Sequence, residues 1–198
     1  MSLTIIIILI TIGVSVLAWN KPDLYEKWMM NPYRVKNNKE YYRFITSGFI
    51  HTGYMHLGFN MLALYFFGRN VEGYFNAIEF LILYLAGIVV SDISTYIKFQ
   101  NHSGYRSLGA SGAVSAIIFS SILVYPLNTI YIYFIPMNAF IFGILYLIYS
   151  YYQAKNSTDN INHDAHFYGA VFGIIYTFIL IPGVLTHFFR EISSWQGF

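Results

Sequence analysis

The chain has 198 residues, 57% of them hydrophobic and 10% charged, with a mean hydropathy of +0.51. A soluble domain carries about 25% charged residues, so this composition excludes a water-soluble protein and leaves too little polar surface for a separate soluble domain. A net charge of +2 is too weak for nucleic-acid binding, and the absence of cysteine excludes thiol catalysis, disulfides and thiolate metal sites.

Six apolar segments run along the chain, at 3–19, 54–70, 74–97, 108–125, 130–152 and 166–185, each close to the ~20 residues of a spanning helix. The expected fold class is all-α, a polytopic membrane protein whose single domain covers 1–198. The first segment lacks a basic leader and an A-x-A cleavage site, so it is expected to be a retained helix rather than a signal-peptide core. The connection at 20–53 holds Lys21, Lys27, Arg34, Lys36, Lys39 and Arg43 and is too long for a turn, which predicts a folded cap in the interface. Pro136 falls in the first turns of the fifth segment and predicts a kink. The connection at 153–165 is polar and expected to be mobile, and Pro182 and Gly183 loosen the end of the sixth segment.

Six crossings put loops 1, 3 and 5 on one side of the membrane, so segments 2, 4 and 6 all enter from that side. Three polar clusters lie at those entries: HTGYMHLGFN at 51–60, GASG at 109–112 and AHFYGAVFG at 165–173. Polar groups in hydrocarbon are costly and usually functional.

Ser111 is expected about one turn into segment 4. Its neighbours Gly109, Ala110, Gly112, Ala113, Ser115 and Ala116 make a small-residue strip that serves close helix packing. That packing role is the stronger reading of the stretch taken alone; the alternative is that Ser111 is a nucleophile beside backbone N–H groups at a helix N-terminus, which suit a developing oxyanion. His166 shares a helix face with Gly169 and Gly173, so it reads either as the base that activates Ser111 or as a neighbour of a GxxxG packing motif. Asp164 points away from that face, which argues for a Ser–His dyad rather than a triad. His56 and Asn60, four residues apart, can donate to a negative oxygen or simply bond between helices. His51 is out of register with His56 and is expected to pin loop 1.

These residues together resemble the rhomboid family of intramembrane serine proteases. The resemblance covers about residues 42–173 and rests on His51-x4-His56-x3-Asn60, Gly109-Ala110-Ser111-Gly112 and Ala165-His166-x2-Gly169-x3-Gly173, in that order. Tyr42-Arg43 resembles the family's Trp-Arg pair, and Gly68 with Glu72 a Gly-x3-Glu pattern. The resemblance implies a six-transmembrane-helix rhomboid-like bundle with an interfacial loop 1. It implies Ser111 as nucleophile, His166 as general base, and His56, Asn60 and the Ser111 backbone N–H as oxyanion hole. It implies no cofactor and no metal. The partners it implies are membrane lipids and single-pass transmembrane substrates, cut near small residues, with helix 5 and loop 5 as the gate.

Two positions depart from the family pattern. Ser115 stands where an aromatic usually packs on the catalytic imidazole, and Tyr42 replaces the Trp. Loops 1, 3 and 5 hold nine Lys/Arg, the six above with Lys98, Arg106 and Lys155, against Arg69 and Arg190 opposite. The positive-inside rule puts that side in the cytoplasm, whereas the resemblance implies a prokaryotic cell membrane with the site opening outward, and the resemblance is followed here. The rival readings are a rhomboid-like protein that binds membrane clients without cutting them, a metalloprotease, which lacks H-E-x-x-H, and a small transporter, which needs a polar path right through.

Overall fold

The structure is a computed structural model that describes residues 2–132, 134–156 and 161–196. It is built around α8 (Ser111–Val124), in which every residue from Gly112 to Val124 is buried. A helix that is apolar all round can only be central. Packed about it are α7 (Ala77–Phe99), α9 (Ala139–Asn156), α10 (His163–Leu180) and a helical run over 54–72, against which α1 (Leu3–Trp19) lies. That run comprises α5 (Tyr54–Ala63), a π-turn at Leu64–Gly68 and α6 (Arg69–Glu72).

Local chemistry sets several boundaries. Asn76 and Glu79 form a capping box that starts α7, with Asn76 Oδ1 accepting from the Ile78 and Glu79 N–H groups at 3.0 Å. Asn162 caps α10 by accepting from the Ala165 N–H at 3.2 Å and also donates to Thr95 Oγ1 at 2.8 Å, tying the start of α10 to α7. Inside the bundle Thr177 Oγ1 donates to Ser120 Oγ at 2.7 Å, a polar link between α10 and α8.

Loop 1 is folded, as its length implied. It holds α2 (Pro22–Trp28), α3 (Pro32–Asn38), α4 (Arg43–Thr46) and a 3-10 turn at Ser47–Phe49. Arg43 is fully buried and donates to the Glu26 and Met29 carbonyls at 2.9 and 2.6 Å and to the Glu40 carboxylate. Met30 and Ser107 exchange backbone hydrogen bonds at 2.9 and 3.2 Å, which fastens the cap to loop 3 just ahead of α8. At the far end of the 54–72 run Glu72 accepts from the Leu3 N–H at 2.6 Å and from the Thr4 hydroxyl at 2.7 Å. Gly68 lies beside them, where a Cβ would come within 2.9 Å of the Thr4 side chain. The Gly68-x3-Glu72 pattern therefore docks α1.

Four expectations need correction. The fifth segment does not begin as a helix at 130: β1 (Thr129–Ile132) and β2 (Ile135–Asn138) form an antiparallel ribbon, and α9 starts at Ala139. The β-branched and aromatic residues there suit a strand. Pro136 pairs with Tyr131 in a two-stranded ribbon, where a missing N–H is tolerated, so it kinks no helix and the chain is not purely α-helical. The sixth segment does not run on to 185: α10 stops at Leu180, and α11 (Val184–Ser194) leaves at 109° after Gly183, whose φ of 78° suits glycine. His187 Nε2 donates to the Val124 carbonyl at 2.8 Å and fixes α11 against the end of α8. Finally, Ser111 is the first residue of α8 rather than one turn inside it. Within the fifth connection α9 extends to Asn156, and residues 157–160, on which the expected mobility falls, lie outside the described residues.

Among the described residues α7 alone is long and apolar enough to cross a membrane by itself. α10 with α11 passes jointly despite the bend, and α1 and α8 are apolar but shorter. Large apolar side chains nevertheless face outward around the bundle, among them Leu9, Phe59, Ile82, Ile148 and Ile179. Such a surface suits hydrocarbon rather than water.

Candidate active site

The GASG stretch is a tight turn into α8. Gly109 has φ 120°, and a Cβ there would lie 2.6 Å from His56 Cε1 and 2.8 Å from Nε2, so the imidazole of His56 rests directly on the Gly109 backbone. The Gly109 N–H donates to the Ser47 carbonyl at 2.9 Å, and the Ala110 N–H donates to His51 Nε2 at 3.2 Å. Ser111 follows as the first residue of the helix.

His51 is fully buried and holds this turn to the rest of the molecule. Because Nε2 accepts from Ala110, the ring proton sits on Nδ1, which lies 3.1 Å from Ser15 Oγ; the Ser15 hydroxyl in turn donates to the Phe49 carbonyl at 3.0 Å. Burial, with the nearby His56 adding to it, pushes the His51 imidazole down to about 3, so the ring is neutral in this network. His51 pins loop 1, as expected, and also orients the turn before Ser111, which its spacing did not reveal.

α10 lies on α8 at backbone contact. A Cβ on Gly169 would sit 2.2 Å from the Gly112 carbonyl oxygen, and one on Gly173 2.1 Å from that of Ala116. Only hydrogens fit at these two crossings. Gly112 also accommodates the Ser91 side chain, and a Cβ on it would be 3.4 Å from the Ala165 carbonyl oxygen. Ser111 and His166 thus issue from the same crossing, each next in sequence to one side of the Gly112–Ala165 approach.

The absence of an aromatic at 115 has a physical counterpart. Ser115 Oγ lies 2.6 Å from the hydroxyl of Tyr146 on α9, and the Tyr146 ring stacks with His166 at 6.4 Å between centroids and 27° between planes. Nothing singled out Tyr146 among 19 tyrosines in the sequence. Asp164 Oδ2 is bound by Lys98 Nζ at 2.9 Å.

His56 and Asn60 share one face of α5. Thr52 Oγ1 is 3.1 Å from His56 Nδ1, leaving Nε2 on the Gly109 side, and Asn60 Nδ2 donates to the His56 carbonyl at 2.9 Å with its other N–H still to place. A small cavity of about 10 Å³ is lined by Ser111, Gly112, Ser107, Ser91, Asp92 and Asn162 among others, room for about one water. Asp92 is buried there and accepts from Ser47 Oγ at 3.2 Å. It was missed in the sequence, although a carboxylate deep inside the long apolar helix α7 was the available signal. Among the described residues no three His, Asp or Glu side chains converge on a metal position.

The rhomboid domain family matches residues 38–183. The chain is 29% identical over 170 residues to RHOMBOID-like protein 12, mitochondrial, of Arabidopsis thaliana, covering 76% of this chain and 51% of that protein. It is 30% identical over 133 residues to rhomboid protease GluP of Bacillus subtilis, covering 67% and 25%, and 25% identical over 150 residues to putative rhomboid protease YdcA of the same organism, covering 73% and 69%. It therefore spans about half or less of the length of the first two. With a plant mitochondrial protein among these relatives, the expected prokaryotic origin finds no support.

Proposed function

Because the chain belongs to the rhomboid family, whose members are membrane proteins and generally intramembrane serine proteases, we propose that it is an intramembrane serine endopeptidase working through Ser111 and His166. The observation that carries this reading is the glycine-mediated crossing of α8 and α10, which launches both side chains from one point of backbone contact.

The bilayer is crossed by α1, the 54–72 run, α7, α8, α9 and α10, with the loop 1 cap in the interface. The catalytic side is extracytoplasmic. Its cations are a poor guide to orientation because several are already neutralised: Arg43 by Glu40, Arg106 by Glu26 at 2.8 Å and Lys98 by Asp164 at 2.9 Å.

The substrates are single-pass transmembrane proteins that enter from the bilayer and unwind at the scissile bond. His166 takes the Ser111 proton as the hydroxyl attacks the carbonyl carbon. The Ser111 backbone N–H, free at the first position of α8, receives the oxyanion together with His56 Nε2–H and the Asn60 amide. His166 then protonates the leaving amine, and water resolves the acyl-enzyme.

Purified protein is tested on a helical reporter in detergent or liposomes. Ser111→Ala and His166→Ala each abolish cleavage while the protein still folds, and wild type reacts at Ser111 with a fluorophosphonate. Full cleavage by Ser111→Ala overturns the reading.

A further inference from the structure

Resting on that reading, we propose that Tyr146 is the positioning residue for His166, with Ser115 fixing Tyr146 in turn. An imidazole that must take a proton from one oxygen and deliver it to a nitrogen needs a defined ring plane. The Tyr146 ring defines one, lying 27° from coplanar with the imidazole, within the separation at which offset aromatic pairs attract.

Tyr146 is itself restrained on three sides. Its hydroxyl meets Ser115 Oγ at 2.6 Å, and its ring contacts Phe119 and Phe142 at centroid distances of 5.5 and 5.7 Å. Ser111, Ser115 and Phe119 follow one another at four-residue intervals on α8, so the face that carries the nucleophile also carries the two groups that hold Tyr146. Gly143, three residues before Tyr146, lets α9 approach α8, since a Cβ there would meet Ile122 Cδ1 at 3.1 Å.

The residue at 115 is small for the same reason. A ring at that position would occupy the space taken by the Tyr146 hydroxyl. Positions 115 and 146 thus form a complementary small–large pair, and the aromatic support comes from a different helix. That helix, α9, buries only Ala139, Gly143 and Ser150. A displacement of α9 from α8 withdraws the support, so the orientation of His166 depends on α9 being seated.

The test measures kcat and KM on the helical reporter, the rate of fluorophosphonate labelling of Ser111, and the melting temperature. Tyr146→Leu keeps apolar bulk and removes the ring; it lowers kcat and the labelling rate about 100-fold with KM unchanged. Tyr146→Phe keeps the ring and loses one hydrogen bond, so it costs less than about tenfold. Ser115→Phe alone crowds Tyr146 and is impaired, whereas Ser115→Phe combined with Tyr146→Leu moves the ring to α8 and recovers most of kcat. Two results overturn the proposal: wild-type kcat in Tyr146→Leu, or a double variant no faster than Tyr146→Leu at an equal melting temperature. If Ser111→Ala is inactive in the same assay, either result leaves the Ser111–His166 reading standing. If Ser111→Ala is fully active, that reading falls and the proposal falls with it.

Discussion

The backbone N–H of Ala110 donates to Nε2 of the fully buried His51 at 3.2 Å, and through that bond the turn before Ser111 is tied to loop 1 and α1. Replacing the imidazole with a methyl group strands the Ala110 N–H in a dry interior and leaves the Ser15 hydroxyl only its bond to the Phe49 carbonyl. A stranded N–H costs about 1–3 kcal/mol. His51→Ala is therefore expected to lower the melting temperature markedly and to reduce cleavage even where the protein remains folded. Circular dichroism melts alongside reporter cleavage check this, and unaltered melting refutes the role of His51 as the anchor of the turn.

The same residue makes a pH prediction. Its folded-state value of about 3 lies below that of an exposed histidine, so between about 6.5 and 3 the unfolded chain binds a proton that the native one excludes. Stability is full above about pH 6.5 and falls as the pH drops, by at most about 1.4 kcal/mol per unit from this group. Melting temperatures measured from pH 7.5 to 4.5 are expected to decline more steeply in wild type than in His51→Gln, which has no proton to gain. Parallel declines exclude His51 as the source.

Much of this arrangement was legible because glycine and histidine spacing report helix faces directly. Gly169 and Gly173 share a face with His166, and the structure places both against α8 as the small-residue strip required. The cap over loop 1 was legible from length and charge. The ribbon at Thr129–Asn138 was not, because a short apolar run has no period that separates strand from helix. α11 was hidden for a related reason: its apolar side chains continued the run of α10, and only the geometry at Gly183 reveals a 109° bend. Tyr146 could not be chosen because stacking across helices leaves no local pattern, and the substitution at Ser115 indicated only that some support was needed.

Gly169 offers a direct test of the α8–α10 crossing. A Cβ there would stand 2.2 Å from the Gly112 oxygen and 2.8 Å from its carbonyl carbon, backbone atoms that cannot rotate aside. Gly169→Ala must push α10 off α8, at about 1–3 kcal/mol of stability, and a shift of about 1 Å between Ser111 and His166 costs about 100-fold in rate. Gly13→Ala is the control, since nothing lies within 4 Å of a Cβ there. Melting and cleavage are expected to fall in the first variant and hold in the second; an active Gly169→Ala removes the crossing as the basis of the site.

Glu72 provides a second docking contact, at the opposite end of the bundle. Its carboxylate accepts from the Ser2 and Thr4 hydroxyls and from the Leu3 and Thr4 N–H groups. Glu72→Gln weakens these charge-assisted bonds and is expected to loosen α1, seen as faster proteolysis or hydrogen exchange in Leu3–Trp19. Equal exchange in the two proteins shows that α1 is docked by its apolar contacts alone.

The oxyanion assignment separates from general stabilisation by its kinetics. His56 presents Nε2 toward the Gly109 backbone while Thr52 Oγ1 lies 3.1 Å from Nδ1, and Asn60 has one amide N–H on its own helix and another to give. Donors that meet charge only as it develops lower the barrier without tightening substrate binding. His56→Ala and Asn60→Ala are each expected to reduce kcat about 100- to 1000-fold with KM little changed. Thr52→Val, which removes only the partner of Nδ1, is expected to cost less than about tenfold. Initial rates over a range of reporter concentrations distinguish these outcomes. A rise in KM at constant kcat makes the affected residue a substrate-binding group, and an unchanged kcat in either alanine variant takes that residue out of the oxyanion hole.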